Sequence, residues 1–126
     1  MENKHNKKSI GYQLETFRYA FKGIQWFFSS EFKSRIHSVC ALAAIVLGII
    51  VKLSHTDWIL VAIAIGLVFI TEIINTGIEL MVDELVKEQN TPAGRIKDLS
   101  AGAVLIAALT ALTIGIIVFV PEIVEL

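Results

Sequence analysis

With 126 residues, 55% of them hydrophobic and 18% charged, and a mean hydropathy of +0.69, this chain is more apolar than a soluble domain, where about 25% of residues are charged. The length suits a single domain over 1–126 and leaves room for three membrane spans of roughly 20 residues, about half of the chain. One cysteine, Cys40, excludes an internal disulfide and a paired-thiolate metal site and reads as a small buried hydrophobe.

Residues 1–9 are polar and expected to lack regular structure. Over 10–28, Leu14, Phe17, Phe21, Ile24 and Phe28 recur at spacings of three and four, while Glu15, Arg18, Lys22 and Gln25 fill another sector. That spacing predicts an amphipathic surface helix whose aromatic load suits the headgroup interface, with packing on protein as the alternative. Ser29-Ser30 marks a bend or a new start, with Ser30 as a candidate N-cap.

The apolar run 39–51 becomes a span over about 33–52 if its helix starts near Phe32, with Arg35 and His37 at its cytoplasmic end. Residues 54–57 form a short polar turn, in which Asp57 is placed to cap a second helix from Trp58, itself an interface anchor. Only tolerated glycines, Gly66 and Gly77, interrupt 58–86, so this span of about 58–82 should outlast the hydrocarbon and emerge as a helix. Residues 89–94 read as a loop, and 95–98 lead into a third span over about 99–120, ended by Pro121. Ala101, Ala108, Ala111 and Gly115 offer small surfaces for close helix packing. The predicted fold class is thus an all-α integral membrane protein with three transmembrane helices and an N-terminal surface helix.

Seven of the 11 Lys and Arg residues precede the first apolar run, Lys52 alone lies between the first two, and Lys87, Arg95 and Lys97 lie between the last two. The positive-inside rule then predicts a multi-pass cell-membrane protein with a cytoplasmic N-terminus and 84–98 loop, and an outside C-terminus. No short hydrophobic segment with a cleavage site follows the polar N-terminal stretch, so a cleaved leader is not expected. The early basic residues serve topology and anionic lipid; without a nucleic-acid module, no nucleic-acid partner is expected.

The chemistry concentrates in Glu72-Ile-Ile-Asn75-Thr-Gly-Ile-Glu79-Leu-Met-Val-Asp83. At 100° per residue, Glu72, Asn75, Glu79 and Asp83 fall within an arc of about 80°. A carboxylate in hydrocarbon costs several kcal/mol unless it is paired, protonated or bound to a cation, so the stripe points to a charged site at a membrane face. Hard oxygen ligands favour magnesium, manganese or calcium over zinc. Glu79 and Asp83, one turn apart, could reach one ion or its waters, and Arg95 and Lys97 beside Asp98 add cations for phosphate oxygens. A Walker-type glycine loop is absent from the sequence, yet phosphoryl transfer asks mainly for positioning and charge neutralisation. On the residues alone a membrane enzyme, a small ion-coupled transporter and a structural membrane protein all stand.

The motif Glu72-Ile-Ile-Asn75-Thr-Gly-Ile-Glu79, then Asp83, then Gly94-Arg95-Ile-Lys97-Asp98, resembles the prokaryotic diacylglycerol kinase family over about 22–120. The order Lys22-Gly23, Glu31, Arg35, acidic stripe and second loop is kept. The resemblance implies a homotrimeric three-span lipid kinase with sites shared between neighbouring subunits, using magnesium and a nucleoside triphosphate, by default ATP. It implies Glu72 as general base on a membrane lipid hydroxyl and Asn75 in the same catalytic motif. Glu31 and Glu79 are implied as metal ligands, and Asp83, Lys97 and Asp98 as nucleotide-side residues. Where Gram-negative members carry Arg-Gln-Glu shortly after the position of Glu31, this chain has Arg35-Ile36-His37. That change resembles the Gram-positive branch, whose preferred lipid is undecaprenol, with diacylglycerol as the alternative acceptor.

Overall fold

A computed structural model describes residues 9–88 and 90–126 as four helices: α1 (Ile10–Ser30), α2 (Phe32–Ile50), α3 (His55–Leu85) and α4 (Thr91–Val124). The expectation for residues 1–8 and the loop assignment of Gln89 lie outside the described residues. Contacts divide the chain into one unit ending at Arg35 and a second running from Ile36 to Leu126.

In the first unit, Ser9 caps α1 by accepting from the Tyr12 N–H at 3.2 Å. The apolar face predicted for this helix is present but uncovered, with Leu14, Phe17 and Phe21 all exposed and Phe27 buried. The break before α2 falls at Glu31 rather than at Ser30. Glu31 is extended (φ −96°, ψ 123°), its N–H reaches Phe27 O at 3.1 Å, and its own carbonyl accepts from Ser34 Oγ at 2.6 Å. Ser29 Oγ donates back to Trp26 O, so that hydroxyl bonds within the helix instead of starting a new one.

In the second unit, α2 ends in a Schellman motif. Leu53 N–H reaches Gly48 O at 3.0 Å and Lys52 N–H reaches Ile49 O at 3.3 Å, with Lys52 left-handed at φ 58°. Gly48 is required by close approach: a Cβ there would lie 2.8 Å from the Trp58 ring and 2.9 Å from Leu53 Cδ1. Helix α3 begins at His55, three residues earlier than predicted, because Ser54 is the cap and not Asp57. Ser54 Oγ accepts from Asp57 N–H at 3.2 Å and donates to Asp57 Oδ2 at 2.6 Å, which places the carboxylate inside the first turn.

Helix α4 also starts earlier than predicted. Asn90 Oδ1 accepts from Ala93 N–H at 2.9 Å, and Pro92 sits in the first turn where no N–H is needed, so 91–94 is helix and not loop. Nor does Pro121 end α4, which continues to Val124, with Glu125 N–H bonded to Pro121 O at 3.1 Å. Proline removes one backbone bond, and three residues from the end of a 34-residue helix that loss is tolerated.

Helices α2, α3 and α4 are each long and apolar enough to cross a membrane, whereas α1 is not such a helix. At about 1.5 Å per residue, α3 with its 31 residues is roughly 47 Å long and exceeds the ~30 Å hydrocarbon. Helices α3 and α4 pack antiparallel: Lys97 meets Asp83, Ser100 meets Asn75, and Val118 joins Val61 in the apolar core. That core, with Val51 and Leu53, lies at the α2–α3 turn. On α4 the seam is Ala93, Ser100, Ala107 and Val118, the first three seven apart. On α3 the buried residues Val61, Ala64, Glu72, Asn75, Thr76 and Val82 share an arc of about 120°. The inward face is therefore apolar at Val61 and Ala64, polar from Glu72 to Thr76, and apolar again at Val82.

Candidate active site

The acidic stripe falls on the packed face of α3, so the site is built where helix packing buries it. Glu72 is 4% exposed. Its Oε1 lies 3.0 Å from His37 Nε2 of α2, and its Oε2 is buried without a hydrogen-bond partner among the described residues. Phe69, one turn before Glu72, meets the His37 ring edge-on, with centroids 6.4 Å apart at 79°. A buried carboxyl needs donors for its oxygens, and here one oxygen of two has one among the described residues.

Asn75 is 1% exposed, and its Oδ1 lies 2.7 Å from Ser100 Oγ, which also lies 2.9 Å from Lys97 O. One hydroxyl proton serves both acceptors, so Ser100 couples the Asn75 amide to the backbone of α4. Thr76 is buried beside them.

Toward the α3–α4 turn the site opens. Lys97 Nζ donates to Asp83 Oδ1 at 2.9 Å. Both residues lie beyond the predicted apolar spans, and the Asp83 hydrogen bond and charge, with a smaller contribution from Glu79, hold the Lys97 ammonium above its ordinary range. Asp83, Lys97 and Asp98 share a depression of about 260 Å³ with Asn90 and Gly94. Glu79 is half-buried between Asn75 and Asp83 along the helix. Glu31 is half-buried at the α1–α2 junction, in the first unit, whereas every other predicted site residue lies in the second. Among the described residues no three His, Cys, Asp or Glu side chains gather as a metal cluster.

A second, apolar cavity of about 310 Å³ lies among α2, α3 and α4, lined by residues including His37, Cys40, Ala64, Phe69, Ala111 and Gly115. One expectation is corrected here: Cys40 is exposed and not buried. Ala108, Ala111 and Gly115 line this cavity. The small side chains leave the volume that larger ones would fill.

Two contributors to the site were absent from the sequence prediction, His37 as the partner of Glu72 and Ser100 as the partner of Asn75. Ser100 had a signal, since it interrupts the seven-residue spacing of Ala93 and Ala107 with a hydroxyl. His37 lies 35 residues from Glu72 on another helix, a pairing that no local spacing reveals.

A magnesium-bound nucleotide suits this donor set. Magnesium keeps several waters and takes one or two carboxylates plus phosphate oxygens, so it requires no closed protein cage. Glu79 and Asp83 supply hard oxygens, and Lys97 an ammonium, at the open end.

Buried carboxyl and amide groups in membrane-length helices, opening onto charged residues at a helix turn, describe a multi-pass membrane protein with a polar cluster between its helices. Residues 18–119 match the prokaryotic diacylglycerol kinase family. The chain is 30% identical over 122 residues to the undecaprenol kinase of Bacillus subtilis, covering 97% of this chain and 99% of that protein. It is 33% identical over 114 residues to the diacylglycerol kinase of Synechocystis, covering 90% and 65% respectively. It is also 33% identical over 93 residues to the diacylglycerol kinase of Escherichia coli K12, covering 74% and 76%. This chain belongs to the prokaryotic diacylglycerol kinase family.

Proposed function

We propose that this protein transfers the γ-phosphoryl group of ATP to undecaprenol, forming undecaprenyl phosphate, with Glu72 as the general base. The observation that carries the reading is the buried Glu72 carboxyl with one oxygen bonded and Oε2 unbonded. Membership in a kinase family sets aside the ion-coupled transporter and the purely structural protein.

The reacting lipid hydroxyl meets Glu72 where the apolar surface of α3 gives way to the polar stripe. Its oxygen forms a bond to the γ-phosphorus while the bond from that phosphorus to the β,γ-bridging oxygen breaks, the electron pair leaving on ADP. The hydroxyl proton passes to Glu72. Asn75, fixed by Ser100, orients polar groups beside the base. Lys97, paired with Asp83, and the neighbouring Asp98 face the nucleotide, and Glu79 and Glu31 are the carboxylates that the family resemblance implies as magnesium ligands. When bound, magnesium neutralises charge on the phosphate oxygens. From Glu72 to Asp83 the stripe extends about 16 Å along α3, enough to carry acceptor and nucleotide at its two ends.

The assembly we propose is a homotrimer in the cell membrane, with the N-terminus and the α3–α4 turn cytoplasmic and the C-terminus outside. Its support is family membership together with the charge bias of the loops. The exposed aromatic face of α1 and its lysine and arginine residues suit an anionic membrane surface.

Undecaprenol is preferred as acceptor on two grounds: Arg35-Ile36-His37, and the likeness to an undecaprenol kinase across nearly the whole of both chains. Diacylglycerol is the second reading, supported by the relatives of that name. The deciding experiment presents both lipids at matched mole fractions in one membrane mimic, with ATP and magnesium, and follows phosphate on lipid. A higher catalytic efficiency with undecaprenol is expected. A higher efficiency with diacylglycerol reverses the substrate assignment, and no phosphate on either lipid overturns the activity.

A further inference from the structure

We infer that His37 is a positioning residue for this reaction, holding Glu72 Oε1 so that Oε2 is aimed at the lipid hydroxyl. The inference rests on the proposed role of Glu72 and extends it to a residue of another helix.

Three observations carry it. The Glu72 side chain is 5% exposed, and among the described residues its one hydrogen bond runs to His37 Nε2 at 3.0 Å. The other oxygen is fully buried and unbonded among the described residues. A carboxyl kept only for packing would have both oxygens satisfied, since each unbonded buried oxygen is a net loss to the fold. One satisfied and one unsatisfied oxygen leaves a buried acceptor with capacity for a second donor, which the proposed reaction supplies as the lipid hydroxyl.

The third observation is that His37 is itself held. Its ring meets Phe69 edge-on, and Phe69 and Glu72 stand one turn apart on α3. The imidazole therefore touches α3 at two successive turns, which fixes its angle to the carboxyl. With the Nε2–H tautomer assigned, His37 donates and Oε1 accepts. Without this anchor the glutamate side chain, with three rotatable bonds, would sample orientations that turn Oε2 away from the acceptor, and small misplacements of a reacting group are costly in rate.

The test compares His37→Gln with His37→Leu in the full chain, in detergent or lipid, with ATP, magnesium and the lipid alcohol. In glutamine, as in histidine, a side-chain nitrogen lies three bonds beyond Cβ, so His37→Gln restores a donor while His37→Leu removes it. His37→Leu is expected to lower kcat about 100-fold with the KM for ATP unchanged, and His37→Gln to stay within about 10-fold of wild type. If His37→Leu prevents assembly, His37→Asn takes its place, polar but one bond too short, with the same expected loss. Wild-type kcat in the donor-deleted variant overturns the inference. So does an equal loss in His37→Gln at equal thermal stability, because restoring the donor would then restore nothing. Glu72→Gln is assayed in parallel: if it remains active, the failure belongs to the role of Glu72 and not to His37.

Discussion

Ser100 Oγ lies 2.7 Å from Asn75 Oδ1, so the one hydroxyl on the buried seam of α4 pairs with the most deeply buried polar side chain of α3. Ser100→Ala would leave the Asn75 amide short of a partner in a space too tight to rehydrate. The expected cost is about 1–3 kcal/mol of stability, read as a lower thermal midpoint in detergent, with reduced turnover. An unchanged midpoint would mean that Asn75 finds another partner without this hydroxyl.

The Asp83–Lys97 pair calls for the opposite outcome. Asp83 is 63% and Lys97 39% exposed, and exposed ion pairs contribute little to stability. Asp83→Asn and Lys97→Met should therefore leave the thermal midpoint within about 2 °C of wild type. The KM for ATP should rise about 10-fold or more, because Lys97→Met removes the ammonium proposed to face the phosphates and Asp83→Asn loosens the pair that positions it. The pH behaviour follows from the same contact. A lysine whose pKa is raised by folding adds stability that is complete below its ordinary value of 10.5 and is lost only as pH climbs through the raised value. Between pH 6 and about 9, this pair should make no pH-dependent contribution to stability, measurable by thermal melts across that range.

The proposed magnesium ligands Glu79 and Glu31 can be tested one at a time. Each substitution to glutamine removes a negative oxygen while keeping shape, so the apparent affinity for magnesium in the presence of ATP should weaken about 10-fold or more in each. A magnesium titration of turnover reads this directly. A residue whose variant titrates like wild type is not a ligand.

The turn between α2 and α3 offers a stability test remote from the chemistry. Lys52 occupies a left-handed conformation (φ 58°) that glycine adopts without steric cost, so Lys52→Gly should stabilise by about 0.5–1 kcal/mol. Gly48→Ala should destabilise by about 1–3 kcal/mol, since its Cβ would meet the Trp58 ring at 2.8 Å. Neither change should alter kcat, because Glu72 lies about 26 Å along α3 from the start of that helix.

These contacts also mark how far the sequence alone reaches. Helix type and order are legible because they follow from apolar periodicity and run length, and the stripe from Glu72 to Asp83 is legible because one helix carries all of it. Helix ends are less so. Ser54 rather than Asp57 caps α3 because a hydroxyl and a carboxylate three residues apart bond reciprocally, and either is a plausible cap on paper. Asn90 draws Thr91 and Pro92 into α4 although their composition is that of a loop. The partners of Glu72 and Asn75 come from α2 and α4, set by which faces pack, and helical spacing within α3 carries no information about that choice.

In the proposed reaction the buried Glu72 carboxyl takes the proton of a lipid alcohol. Glu72→Gln keeps the side chain's size and a group able to pair with His37 but removes the base. The measurement is transfer of labelled γ-phosphate from ATP to undecaprenol by this variant, reconstituted in lipid, with the oligomer checked in the same preparation. An intact assembly with turnover reduced at least about 100-fold is expected. Wild-type turnover in an intact assembly would contradict that role of Glu72.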